Sequence, residues 1–508
     1  MGSGFFHFLR LAKKGLAVNG ICIYTDTMFT STELFGAIHS PKKPLHTERA
    51  CLQGRCPNEL ASLFAAQLAA PCLQPPKQGP HCRNRHYSLT VTFWTFLWQI
   101  LNPGSPCREA VRKVMAWFAL LGRPKLSPDD SPYCQARKRL PKPILLRALQ
   151  TAAQAAEQGA RQIWRFHNHD VKVADGSTVL APDTPKNQRA FPQHRNQAPG
   201  CGFPLIRLVA LFSLTSGALL AVATGNKHSA ELQLFRRHLW KLLKRTDILL
   251  ADRGFCDYVT LAWLRLKRDV HCVLRLQHCR PHDLRRGKRL GKWDRLVVWQ
   301  KPLGRTRTAT RKLWCSLPEQ LTLRLIAYPV SIPGFRVRRI FLVTTLLDPI
   351  AYPAAELAQL YLRRWGVELF LRQIKTTLQM EMLSGKSPAV LEREILMHFI
   401  AYNLIRGVMV QAASISGLDL ARLSFKGSLD TVRHFSQGIA RAKTRKLQNQ
   451  LVANMLWALV HDPLPDRPNR VEPRTRKRRP KPFPLMHQSR TQFKARFIPR
   501  KCRRPYEP

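Results

Sequence analysis

Between residues 168 and 276 the hydrophobic pattern of the chain switches repeatedly between a period of two and a helical period. HDVKVADGST reads as a strand that stops at an acidic turn. LIRLVALFSL and ALLAVATG read as two further strands joined by Thr215-Ser216-Gly217. HSAELQLFRRHLWKLLKR is an amphipathic helix, and DILLADRGF is a buried strand that again ends in an acid. YVTLAWLRLKR and VHCVLRL add a helix and a strand. The order β-β-β-α-β-α-β predicts an α/β fold with one mixed sheet. In such sheets reactive groups gather where strands end. Asp175 and Asp252 stand at two such ends, and their small neighbours Ala174, Gly176, Ala251 and Gly254 leave room for an ion or a phosphate. A lone strand-end Asp reads equally well as a turn or cap residue.

Further along, YLRRWGVELFLRQIKTTLQME carries Tyr361, Arg364, Glu368 and Lys375 at the spacing Y-x2-R-x3-E-x6-K. An ideal helix turns about 100° per residue, so the last three lie at roughly 300°, 340° and 320° from Tyr361, on one stripe. Leu360, Val367, Phe370, Leu371, Ile374 and Leu378 fall mostly on the other sides. A solvated face with i,i+4 ion pairs explains such a stripe. A carboxylate flanked by a phenol and two cations also suits a metal-binding acid working beside phosphates. Together with Asp175 and Asp252, Glu368 completes a set of three carboxylates, enough to hold two Mg2+ ions about 4 Å apart. Without cations such a cluster repels itself and its pKa values rise.

The charge balance points the same way. Lys and Arg number 83 against 31 Asp and Glu, a net charge of +52. A polyanionic partner, nucleic acid above all, accounts for that excess. An anionic membrane surface is the rival, but the basic segments lack an amphipathic anchor. No apolar run reads as long enough to span a bilayer, and the first twenty residues lack a signal peptide's pattern. The 13 cysteines are scattered. Cys51, Cys56, Cys72 and Cys82, with His81, do not match a standard zinc spacing.

Composition shifts divide the chain. Residues 1–85 form a poorly defined arm broken by PKKP and PPKQGP. Residues 86–165 read as a helical domain in which the short basic helix SPYCQARKRL follows a helix and a turn. That order resembles a helix-turn-helix, with Gln135, Arg137, Lys138 and Arg139 as groove-reading candidates; a plain helical bundle is the alternative. Residues 166–280 and 346–415 form the α/β unit, interrupted at 281–345 by a β-rich, basic insertion. Residues 416–462 are a helical segment, and 463–508 a Pro- and Arg-rich tail expected to be disordered. His194 and His228 receive no catalytic role, and Ser229 with Glu231 reads as a helix cap.

The segments DGST at Asp175, DTPKNQRAFPQHRNQAPGCGFP after it, LLADRGF at Asp252 and the Y-R-E-K array occur in one order and strand context. On them, the chain resembles the DDE transposases of the insertion-sequence 4 family from about residue 90 to about residue 415. The resemblance implies a ribonuclease H-like fold: a mixed sheet with flanking helices, a β-rich insertion before the last acid, and an N-terminal helical domain. It implies Asp175, Asp252 and Glu368 as catalytic metal ligands for two Mg2+ ions, with Mn2+ as substitute. Tyr361, Arg364 and Lys375 would contact DNA. The partners implied are double-stranded DNA, as transposon ends and target, and a second copy of the chain in a dimer assembled on DNA. The implied setting is a prokaryotic cytoplasm, at the nucleoid and away from membranes. The implied reaction is phosphodiester hydrolysis at the element's ends followed by strand transfer. A Mg2+-dependent nuclease without strand transfer and a non-catalytic DNA-binding derivative are the alternatives; the presence of all three acids weighs against the latter. Some family members stack a flipped base on a Trp in the strand before the Y-R-E-K helix. Here RRIFLVTTL stands in that place, so the stacking group falls to Phe341 or to Trp293, Trp299 or Trp314 of the insertion.

Overall fold

The computed structural model describes residues 59–64, 67–68, 73–74, 85–123, 125–160, 164–277, 280, 283–306, 309–330, 339–466 and 484–497. Most of the arm lies outside the described residues, and with it Cys51, Cys56, Cys72, His81 and Cys82. Of the expected disordered tail, 463–466 and 484–497 are described, and Arg490–Phe497 is helical.

The N-terminal helices form as their end signals dictate. Helix α1 (Leu89–Leu101) starts where Ser88 Oγ accepts the Val91 N–H and stops before Gly104, whose φ of +88° suits glycine. Helix α2 (Cys107–Leu120) follows Pro106. Helices α3 (Ser131–Arg139) and α4 (Lys142–Gly159) complete the set.

The strands of the described residues form one nine-stranded sheet in the order β3-β2-β1-β4-β5-β9-β8-β7-β6. These are β1 (Val171–Leu180), β2 (Leu205–Ser213), β3 (Leu219–Gly225), β4 (Ile248–Ala251), β5 (His271–Arg275), β6 (Lys288–Gly291), β7 (Asp294–Gln300), β8 (Gln320–Pro329) and β9 (Arg339–Thr344). β4 runs parallel to β1 and to β5; the other pairings are antiparallel. With its flanking helices this is a ribonuclease H-like architecture. The β-rich stretch extends the same sheet, because β9 pairs with β5 through Leu274↔Val343.

Both faces of the sheet are covered, which explains the unbroken apolar run ILLA in β4. Ile248 and Leu250 join a core with Val171 and Val173 under the C-terminal helices. Leu249 and Ala251 join a second core with Phe235, Leu239, Tyr258 and Leu261 on the opposite face. The period of two thus assigns each strand residue to a face. Asp175 continues the face of Val171 and Val173, toward the helices that carry Arg364 and Glu368.

One long helix, α9 (Pro388–Ser416), spans the first core after α7 (Ala354–Arg363) and α8 (Gly366–Arg372). Here α5 and α6 denote Glu231–Leu234 and Tyr258–Arg268. Among the described residues α9 is the one helix long and apolar enough to cross a membrane, which corrects the expectation that no such run exists. Its apolar window is 94% buried inside the protein, as a central core helix requires. Its polar residues hold the β2–β3 turn. Asn403 brackets Leu219 by accepting its N–H and donating to its carbonyl, both at 2.8 Å. Tyr402 Oη donates to Gly217 O, and Arg406 Nη2 donates to Ser216 O. Gly217 has φ +71°, and a Cβ there would fall 2.0 Å from Arg406 Nη2. Two more helices, Phe425–Arg441 and Arg445–Val460, follow.

Candidate active site

Asp175 was expected where β1 stops, but β1 continues to Leu180 because its pairing with β2 runs on through Asp175↔Ala210 to Leu180↔Leu205. What stops beside Asp175 is the pairing with β4, whose last register pair is Ala174↔Ala251. Asp252 directly follows β4 as expected, before a short turn of 3-10 helix at Arg253–Phe255. The two aspartates therefore project from neighbouring parallel strands about 4.8 Å apart.

Glu368 lies in the first turn of α8 and is exposed. Arg364, only 4% exposed, reaches down from the junction of α7 and α8, and its Nη1 is 3.8 Å from Asp175 Oδ2. Asp175 Oδ1 accepts the Gly176 N–H at 2.9 Å. Burial raises the Asp175 carboxyl to about 6; Arg364 and the Gly176 N–H oppose the rise, and the charges of Glu368 and Asp252 add to it. Asp175 thus feels the charge of both other acids. The three do not form a closed cage: among the described residues the one group with three ligating atoms mutually within 4.8 Å is Cys107, Asp130 and Cys134.

The stripe expected on a single straight helix is broken in two places. α7 ends at Arg363, α8 begins at Gly366, and Gln373–Thr377 is a π-helical turn. The π turn shifts the phase of Lys375, so its alignment with Glu368 departs from an ideal 100° step. Lys375 is half-buried in that turn. Tyr361 is fully buried beneath Arg364, whose guanidinium lies 5.6 Å from the ring centre. Burial raises the Tyr361 phenol, and the charges of Arg364, Asp252 and Arg275 all act on it. Among the described residues Arg364 Nε has no hydrogen-bond partner, while the Tyr361 hydroxyl interacts with the Arg364 side chain.

Two charged neighbours escaped the sequence reading. Arg275, at the end of β5, shares the Tyr361 environment. Glu231 stands against Gly176, where a Cβ would lie 2.3 Å from Glu231 Cδ. The space inferred beside Gly176 therefore holds a carboxylate, whereas a Cβ on Gly254 would meet nothing within 4 Å. Glu231 was read only as a cap partner of Ser229. In fact Ala230 occupies the cap position and Ser229 Oγ donates to Asn226 Oδ1.

Of the groove-reading candidates, Gln135 and Lys138 are exposed and Arg139 is half-buried. Arg137 is 4% exposed, with its guanidinium 4.0 Å from the centre of the Phe96 ring, so it belongs to the packing between α1 and α3. Of the stacking candidates, Trp293 is exposed, with Arg339 4.5 Å from its ring centre. Trp299, Trp314 and Phe341 are half-buried.

The sheet is of the ribonuclease H-like kind, with acids at adjacent central strands. Residues 167–404 match the family model described as the transposase DDE domain. The transposase InsG for insertion sequence element IS4 of Escherichia coli (strain K12) is 29% identical over 417 residues, covering 79% of this chain and 88% of that protein. Residues 167–404 are thus similar to the transposase DDE domain, and the chain as a whole is similar to a transposase of insertion sequence element IS4. Among solved structures, the cryo-EM structure of the piggyBac transposase synaptic complex with hairpin DNA aligns over 82% of this chain and 85% of that chain, with a TM-score of 0.40 and 10% identity.

Proposed function

We propose that the chain is a cut-and-paste DNA transposase whose active site is formed by Asp175, Asp252 and Glu368. The observation that carries this reading is the convergence of these acids. Asp175 lies on β1, Asp252 directly follows the parallel neighbour β4, and the charge of the third acid reaches the half-buried Asp175. The donor set fits hard divalent cations, which take carboxylate oxygens and relieve their mutual repulsion. Asp175, Asp252 and Glu368 would hold two Mg2+ ions, or Mn2+ in their place. Bound there, such ions activate a water or a 3′-hydroxyl and stabilise the leaving oxygen.

The remaining roles follow from position. Arg364 is a buried cation beside Asp175, so it steadies the carboxylate and lends its positive charge to a phosphate drawn to the site. Tyr361 supports the Arg364 guanidinium from below. Being fully buried, it acts as a positioning residue in this arrangement, so its DNA contact runs through Arg364. Lys375 is a point charge for the DNA backbone. Trp293 is the exposed aromatic best suited to stack on a displaced base. Double-stranded DNA, as element ends and target, is the proposed partner, with two copies of the chain assembled on it.

The test of transposition against simple nuclease action is strand transfer of pre-cleaved ends into a supercoiled target. Joined products are expected; cleavage without joining would favour the nuclease reading. Lys375→Ala is expected to weaken binding to element-end DNA and to reduce the slope of log K against log salt by about 1. An unchanged slope would remove Lys375 from the phosphate contacts.

Activity should also follow the ionisation of Asp175. Its carboxyl sits at about 6 against an ordinary 3.8. Below that value it is protonated and a poor cation ligand, so the Mg2+ needed for half-maximal cleavage should rise as pH falls from 7 to 5. A Mg2+ requirement flat across that range would contradict the assignment.

A further inference from the structure

Among the described residues, the tightest set of ligating atoms lies away from these carboxylates, in the N-terminal helices. Cys107 is the first residue of α2. Asp130 immediately precedes α3, and Cys134 sits in its first turn. One ligating atom from each lies within 4.8 Å of the other two. Two sulfurs and one carboxylate oxygen form a donor set for a borderline-soft cation such as Zn2+. In a tetrahedral zinc site two thiolates stand about 3.8 Å apart, so closure asks for a contraction of at most about 1 Å.

The surroundings complete the chemistry. Arg137 Nη1 lies 3.1 Å from Cys107 Sγ, which favours the thiolate. The same nitrogen donates to Gln99 Oε1, and Tyr133 Oη donates there at 3.0 Å. Gln99 Nε2 is 3.7 Å from Cys107 Sγ. These partners fix the orientation of the sulfur, as outer-shell groups do around metals. The charges also close: two thiolates and a carboxylate balance one divalent cation plus the Arg137 guanidinium. Arg137 is thereby explained as a buried counter-charge, a role that its place in a basic helix conceals.

We infer that Cys107, Asp130 and Cys134 form a zinc site that clips the start of α2 to α3, with solvent at the fourth position beside the exposed Cys134. The clip would set the pose of the exposed α3 face. That face borders a cleft of about 710 Å³ lined by Arg85, His86, Arg123, Gln135 and Arg139.

The test uses the full chain purified without chelator, assayed for bound zinc and then loaded with Co2+. The wild type should hold one more ion per chain than the Cys107→Ser/Cys134→Ser variant, with sulfur-to-cobalt charge-transfer bands that the variant loses. Cysteines elsewhere contribute equally to both proteins, so the difference isolates this site. Should the double variant fail to fold, Cys134→Ser alone, at an exposed position, decides: its charge-transfer intensity should fall. Asp130→Asn should weaken the metal by about 10-fold or more. Equal metal content and equal spectra in wild type and variants would overturn the proposal. So would a Cys107–Cys134 disulfide in the metal-free protein as purified, which would make the two thiols a redox pair.

Discussion

Asp175→Asn is expected to lower DNA cleavage by about 10³-fold or more while leaving the metal-free protein more stable than the wild type. The two effects have one cause. Burial holds the Asp175 carboxyl at about 6 against an ordinary 3.8, so ionising it in the fold costs free energy. Above pH 6 the group is charged in both folded and unfolded chains, and the full cost is present. Below about pH 4 it is protonated in both, and the cost vanishes. An uncharged Asn removes that cost at neutral pH, a gain on the order of 1–3 kcal/mol, reduced by the partial exposure of the group. Added Mg2+ should stabilise the wild type and leave the variant unchanged. Asp252→Asn and Glu368→Gln should share the loss of cleavage and keep binding to element ends. A variant that cleaves substantially, or one that loses activity because it unfolds, contradicts the assignment.

The second large effect is structural. Arg324 is fully buried on β8 and grips the Asp294 carboxylate on β7 through Nε and Nη2, the latter at 2.6 Å. Its Nη1 donates to the carbonyls of Asp348 and Tyr352, at 3.2 and 2.7 Å. Those carbonyls belong to the segment that launches α7, and hence to the base of the helices carrying Arg364 and Glu368. Arg324→Met strands a buried carboxylate and should cost about 3–5 kcal/mol in urea unfolding. Adding Asp294→Leu removes the stranded charge and should recover much of that loss. A single-variant cost below about 1 kcal/mol would show that the pair is not a structural tie.

The order of the first five strands along the chain was legible in the sequence because both faces of the sheet are buried and each strand announces itself by its apolar run. The end of β1 was misplaced because pairing with β2 outlasts pairing with β4, a tertiary fact that no local pattern carries. The stripe of Tyr361, Arg364, Glu368 and Lys375 assumed constant helical pitch; the break after Arg363 is marked by Gly366 alone, and the π turn at Gln373–Thr377 has no distinctive residue to mark it. Arg137 looked like a surface base because its helix is basic; only the packing against Phe96 reveals it as buried. Glu231 could have been found by asking which side chain fills the space that Gly176 leaves open.

The most direct measurement of the proposed active site is iron-mediated cleavage of the protein itself. Fe2+ placed in the Mg2+ site, with ascorbate and peroxide, cuts the backbone near the residues that bind it. Cuts clustered near Asp175, Asp252 and Glu368, suppressed by Mg2+ and lost in Asp175→Asn, are the expected result. Cuts confined to other segments, or cuts near these residues that persist in Asp175→Asn, would mean that these three acids do not share a metal site.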